Sequence, residues 1–234
     1  MAKKVHTPTA FDLDVHKKLR AVQEKYVGQP VNIVVARAAF IDVLRCFVGV
    51  SEIGTSNRGY WVDIFSAPFG TAIPWCAAFI QWALWFTGVK VLSWTDLLPH
   101  NTAGTQDTYY FAKRNKLVVY AYAETDAGDL TIWKDVTEPR EPERGHIEAQ
   151  TVHAMNVMTS LGGNTSSEFS RDGGDVGERP VNPGKWIWGT PAATWLAKNP
   201  KGRYVRGAVS FARLFAYVAS KTPPPLAITL QEPV

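Results

Sequence analysis

Residues 74–88 read Pro74-Trp75-Cys76-Ala77-Ala78-Phe79-Ile80-Gln81-Trp82-Ala83-Leu84-Trp85-Phe86-Thr87-Gly88. A proline near the start and a glycine at the end bracket a helix whose residues are nearly all apolar. A helix that is hydrophobic all round belongs inside a fold rather than on its surface. Cys76 falls in its first turn, where unpaired N–H groups and the helix dipole favour a thiolate and can also hold an oxyanion. The plainer reading of Cys76 is a core thiol beside Trp75.

Upstream, Phe11, Val15, Leu19 and Val22 follow helical spacing in a charged segment that ends at Gly28-Gln29-Pro30, predicting an N-terminal helical appendage over residues 1–30. Residues 32–49 show the same periodicity and close on a glycine, so Cys46 is expected inside a buried helix as a shielded thiol. Residues 50–73 are loop-rich, with one short helix near Trp61–Phe65. Downstream the period changes to two. Strands are predicted over 117–122, 129–134, 146–153, 155–160 and 203–209, with a Gly-rich insertion from 161 to about 184 and a flexible tail over 221–234. Helices first and antiparallel strands afterwards read as an α+β fold, with the catalytic unit over 31–220.

Composition narrows the function. The 46% hydrophobic content fits a globular domain, and the net charge of +4 is too mild, and too free of basic runs, to suggest a nucleic-acid partner. Two cysteines make no disulfide framework. The first 20 residues lack the apolar core of a secretory signal, and no run of ~20 apolar residues would span a membrane, so cytoplasmic production without membrane insertion is expected. The aromatic richness reads mainly as core. The acidic, Gly-rich stretch after Ser166 lacks the alternating carboxylates of a calcium loop, and neither metal nor cofactor is expected.

A nucleophilic thiolate needs a base. Of five histidines, His6 and His16 sit in the N-terminal segment and His100 in a polar linker. His146 and His153 share one predicted strand but, seven apart, point to opposite faces of an ideal one, so only one can meet Cys76. Gly145 would let the backbone approach the site closely.

The fragments Gly49-Val-Ser-Glu-Ile-Gly, Asn57-Arg-Gly, Trp75-Cys-Ala-Ala-Phe, Gly128-Asp129, Gly145-His146 and Gly163-Asn-Thr-Ser occur in the order found in the CHAP family of cysteine- and histidine-dependent amidohydrolases and peptidases. The chain resembles its phage endolysin and wall-hydrolase members over roughly residues 31–170 and the closing strand. The resemblance implies a papain-like core and hydrolysis of a peptidoglycan amide, by an endopeptidase or an N-acetylmuramoyl-L-alanine amidase. It implies Cys76 as nucleophile, His146 as general base and Asn164 as the group orienting the imidazole, with Asn57, Arg58 and Trp75 towards substrate. Many relatives carry an acid two positions before this asparagine, where Gly162 stands here, so Glu148, Glu168 or Asp175 could orient the ring instead. Cys76 is expected to be solvent-accessible and the protein monomeric. Two other readings stay open: a non-catalytic phage structural or binding protein of the same fold, and a wall-degrading toxin delivered between bacteria.

Overall fold

The computed structural model describes residues 6–54, 56–87, 104–136, 145–155, 157–165 and 174–221. Among these the chain forms seven α-helices and one six-stranded antiparallel sheet, an α+β architecture. The helices are α1 (Ala10–Tyr26), α2 (Ile33–Cys46), α3 (Tyr60–Ser66), α4 (Cys76–Phe86), α5 (Thr105–Arg114), α6 (Ala193–Lys198) and α7 (Phe211–Ala219). The strands are β1 (Val118–Val119), β2 (Leu130–Asp135), β3 (Gly145–Ala154), β4 (Val157–Thr165), β5 (Asp175–Val181) and β6 (Arg203–Val209), in the order β1-β6-β2-β3-β4-β5.

α1 begins on a capping box in which the Thr9 hydroxyl accepts from the Asp12 N–H and the Asp12 carboxylate accepts from the Thr9 N–H. Its Val15 and Leu19 are fully buried in the same core as α2, α3 and α4. α2 is capped by Asn32, whose side chain accepts from the N–H groups of Val34 and Val35, and it ends at Cys46, three residues before the glycine expected to stop it.

α4 is the hub. Ten of its eleven residues are buried, and it packs on β3 and β4 as well as on α2 and α3. Large side chains each contribute about 1.5–3 kcal/mol on burial, so Phe79, Ile80, Leu84 and Phe86 hold this helix without help from a terminal cap. Phe47 meets Trp61, Phe65, Phe79 and Trp82 edge-on, with ring centroids 5.0–5.7 Å apart. Such contacts are worth about 0.5–1.5 kcal/mol each beyond the area they bury. The aromatic richness therefore resides largely in the core, between the helices and one face of the sheet. The other face carries a smaller cluster of Trp133, Met158, Val181 and Val205, flanked by Tyr122, Trp186 and Trp188.

Two sequence expectations need correction. The strand expected over 117–122 is reduced to the two residues of β1, because the chain turns at once into a 3-10 turn over Tyr122–Glu124. The 161–184 stretch is not an insertion throughout. β4 continues to Thr165, and Asp175–Val181 forms β5, paired with β4 from Met158↔Val181 to Thr165↔Asp175. Neighbouring-strand hydrogen bonds override the weak β-propensity of its Gly, Glu and Pro. Gly88, His100, Glu168 and the tail from residue 222 lie outside the described residues.

Candidate active site

The site forms where the N-terminus of α4 meets the start of β3. Trp75 occupies the N-cap position with no side-chain hydrogen bond into the first turn of the helix. The N–H groups of that turn thus lack a capping side chain, which leaves them for negative charge at Cys76. Cys76 and His146 lie within hydrogen-bonding reach of each other. The thiol also lies 3.5 Å from the Thr105 hydroxyl, at the start of α5, and against the backbone N–H of Ile147.

β3 delivers the imidazole. Gly145, just before it, packs so tightly that a β-carbon would run into the Gln106 side chain and the Trp133 carbonyl, so the close backbone approach foreseen for this glycine is present. His146 is buried, with Nε2 3.3 Å from Glu148 Oε1, an ion-pair distance. Glu148, two residues along the same strand and 0% exposed, also receives the Trp133 indole N–H on Oε2 at 3.3 Å and the Arg179 guanidinium on Oε1.

The electrostatics follow from these contacts. Burial alone would raise the Cys76 thiol, but His146, Thr105 and the Ile147 N–H outweigh it and bring it below the ordinary thiol value. Burial would likewise lower His146, but its contacts with Cys76 and Glu148 outweigh burial and carry it up to about 9. Burial opposes the charge on Glu148 too, and His146, Arg179 and Trp133 hold its carboxyl below the usual carboxylate range. The two shifts run in opposite directions, and both favour a thiolate facing an imidazolium over the neutral pair.

The other described histidines are engaged elsewhere. His6 Nδ1 pairs with Asp63 at 2.8 Å, His16 Nε2 meets the Tyr60 hydroxyl at 2.9 Å, and His153 Nε2 sits 3.3 Å from the Tyr122 carbonyl. A register shift between Gln150 and Val152 turns His153 to the same sheet face as His146, not the opposite one expected of an ideal strand, but places it at the other end of β3. Asn164 is buried at the end of β4, with a left-handed φ of 56° that asparagine tolerates better than most residues. Asp175 accepts from the Thr165 hydroxyl.

The residues expected to face substrate are placed differently. Trp75 is 0% exposed, its ring packed against Phe65 and Phe79, so it is a core residue and cannot grip substrate. At a helix start, adjacent side chains point about 100° apart, and the turn that brings Cys76 to β3 sends its neighbour inward. Asn57 has φ 50° and donates its N–H to Glu52, while Arg58 forms a two-pronged ion pair with Asp63. Cys76 itself is only 5% exposed, not the open thiol expected. Thr105, Trp133 and Arg179 had no local signature in the sequence. They reach the site only through the packing of α5 and the pairing of β2 and β5 into the sheet. Glu148 was legible as the acid on the same strand face as His146. Among the described residues no group of three or more His, Cys, Asp or Glu is placed to hold a metal ion.

Comparison with family models, with characterised proteins and with solved structures found no match.

Proposed function

We propose that the protein is a papain-like cysteine hydrolase of the CHAP type that cleaves an amide bond of bacterial peptidoglycan, as an endopeptidase or an N-acetylmuramoyl-L-alanine amidase. The observation that carries the chemistry is the buried thiol–imidazole pair at an uncapped helix N-terminus, the thiol shifted down and the imidazole up. The order of the sequence fragments supports the wall as substrate and an endolysin-like role, with the enzyme reaching the wall after release by another factor. No helix among the described residues is long and apolar enough to cross a membrane.

In the reaction, the Cys76 thiolate attacks the amide carbonyl carbon and the carbonyl π electrons move to oxygen. That oxyanion is held by the N–H groups of the first turn of α4. Collapse restores the carbonyl and expels the amine, which takes the proton from His146. Neutral His146 then accepts a proton from water as the water oxygen attacks the thioester. The thiolate leaves, regenerating the thiolate–imidazolium pair, and the new carboxylic acid departs and gives its remaining proton to solvent.

Mass spectrometry of purified sacculi digested with the native protein and with Cys76→Ser tests this reading. New amine and carboxyl ends on the released muropeptides, absent with the variant, are expected and would identify the bond. Intact muropeptides from both would rule out the wall as substrate and favour the binding-protein alternative.

A further inference from the structure

We infer that Glu148, rather than Asn164, is the residue that positions His146, with Arg179 as its ion-pair partner. This rests on the reading that Cys76 and His146 are the working pair. His146 and Glu148 are two apart on β3, so they share a face, and Oε1 stands 3.3 Å from Nε2. A carboxylate there fixes the ring's rotation and favours the protonated form, which the attack on a carbonyl requires at rest.

The surroundings are built for that carboxylate. Glu148 is wholly buried, and burying a carboxylate without partners is costly. Arg179 on β5 and the Trp133 indole on β2 supply a partner on each oxygen, so strands on both sides of β3 hold the group. Across the sheet, Ala149 pairs with Leu161, which sets Gly162 next to Glu148. A β-carbon on Gly162 would stand 2.7 Å from Glu148 Cγ and 3.3 Å from His146 Nε2. Its backbone is not in the left-handed region, so glycine is needed here for space: β4 gives up a side chain so that one from β3 can fill the place beside the imidazole. The other carboxylates of β5 are occupied, Asp175 by Thr165 and Glu178 by Arg45 and Thr151. Asn164, with its φ of 56°, has a conformational reason to be asparagine.

The experiment is the pH dependence of iodoacetamide alkylation at Cys76, read by peptide mass spectrometry, for the native protein, Glu148→Gln and Asn164→Ala. A merely structural role for Glu148 would leave the profile in place. The expected result is that Glu148→Gln lowers the neutral-pH rate about tenfold and moves the pH at which alkylation rises upwards by about one unit, while Asn164→Ala leaves both where they were. The reverse pattern, an unmoved profile in Glu148→Gln and a moved one in Asn164→Ala, overturns the inference. Should Glu148→Gln not fold, the double variant Glu148→Ala/Gly162→Asp places a carboxylate in the same space from the facing strand. A folded double variant with a near-native profile supports the inference, and a folded one whose rise stays displaced to higher pH overturns it. Alkylation needs no wall substrate, so a protein that alkylates as expected but leaves muropeptides intact loses the wall reading alone.

Discussion

Cys46 and Cys76 are equally buried, each 5% exposed, yet their thiols are driven in opposite directions. Burial and the nearby Asp42 push Cys46 up to about 12, and its Sγ donates to the Asp42 carbonyl at 3.3 Å. Cys76 suffers at least as much burial but faces His146, Thr105 and the Ile147 N–H. Reactivity here is a matter of charge partners, not of exposure. Native protein treated with iodoacetamide at pH 7 should be alkylated at Cys76 at least about tenfold faster than at Cys46, with Cys46 reacting only on unfolding. Equal labelling of the two would discard the thiolate.

Cys76→Ser should cut wall hydrolysis by about a thousandfold or more, because a serine hydroxyl keeps its proton where the thiol does not. Its thermal midpoint should stay within a degree or two of the native value. Cys46→Ala should do the reverse, costing about 1 kcal/mol through a small cavity while hydrolysis continues. Paired activity and melting measurements separate the two.

The alkaline limb of activity should fall with an apparent value near 9. His146 is carried up to about 9, so below that pH it holds the proton the leaving amine needs, and above it that proton is lost. The same shift has a stability consequence. A histidine raised in the folded state contributes its full stabilisation below pH 6.5, and this disappears as the pH rises through about 9. A rate profile that stays flat to pH 10 would contradict this assignment.

Trp75 offers a check on the corrected reading of the site. Trp75→Ala should destabilise the fold by about 3–5 kcal/mol, as expected for emptying a fully buried ring site. Trp75→Phe, which keeps most of the packing, should leave KM within about twofold of native. A large rise in KM with unchanged stability would restore the ring to the substrate surface.

Asp129 gives the fold its own pH signature. Burial raises its carboxyl to about 6, although it accepts hydrogen bonds from the N–H groups of Phe211 and Asp126. Between about pH 4 and 6 the folded state holds a proton that the unfolded chain has released, so this group's contribution to stability declines as pH rises across that window. The change is of order 2–3 kcal/mol. Asp129→Asn, which retains an acceptor for the Phe211 N–H that opens α7, should flatten that window in urea titrations at pH 4, 5 and 6.

The parts of this molecule that could be read from its sequence are those encoded by neighbours in the chain. The start of α4 at Cys76, the end of α2 three residues short of Gly49 and the course of β3 all follow from periodicity and breakers within about 15 residues. β5 was hidden because Asp175-Val176-Gly177-Glu178-Arg179-Pro180-Val181 has little intrinsic preference for a strand and gains it from β4. Trp75 was misjudged because adjacency in sequence to a nucleophile does not mean a shared direction in space. Arg179 and Trp133 lie 33 and 13 residues from His146 (179 − 146; 146 − 133), and only the sheet brings them beside it. Even Glu148, legible by spacing alone, needed the space left by Gly162 to be told apart from rival acids.

The strand order also sets when the site can first exist. β2, which supplies Trp133, is hydrogen-bonded on one side to β3 and on the other to β6, and β6 is the last of the described strands to be synthesised. A ribosome must add 133 residues after Cys76 (209 − 76) before Val209 is made, about 7–27 s at ordinary rates of about 5–20 residues per second. Throughout that interval the nascent chain carries its thiol but lacks the finished sheet that holds His146 and Glu148 in place. Chemical competence is thus a late event in the birth of the molecule.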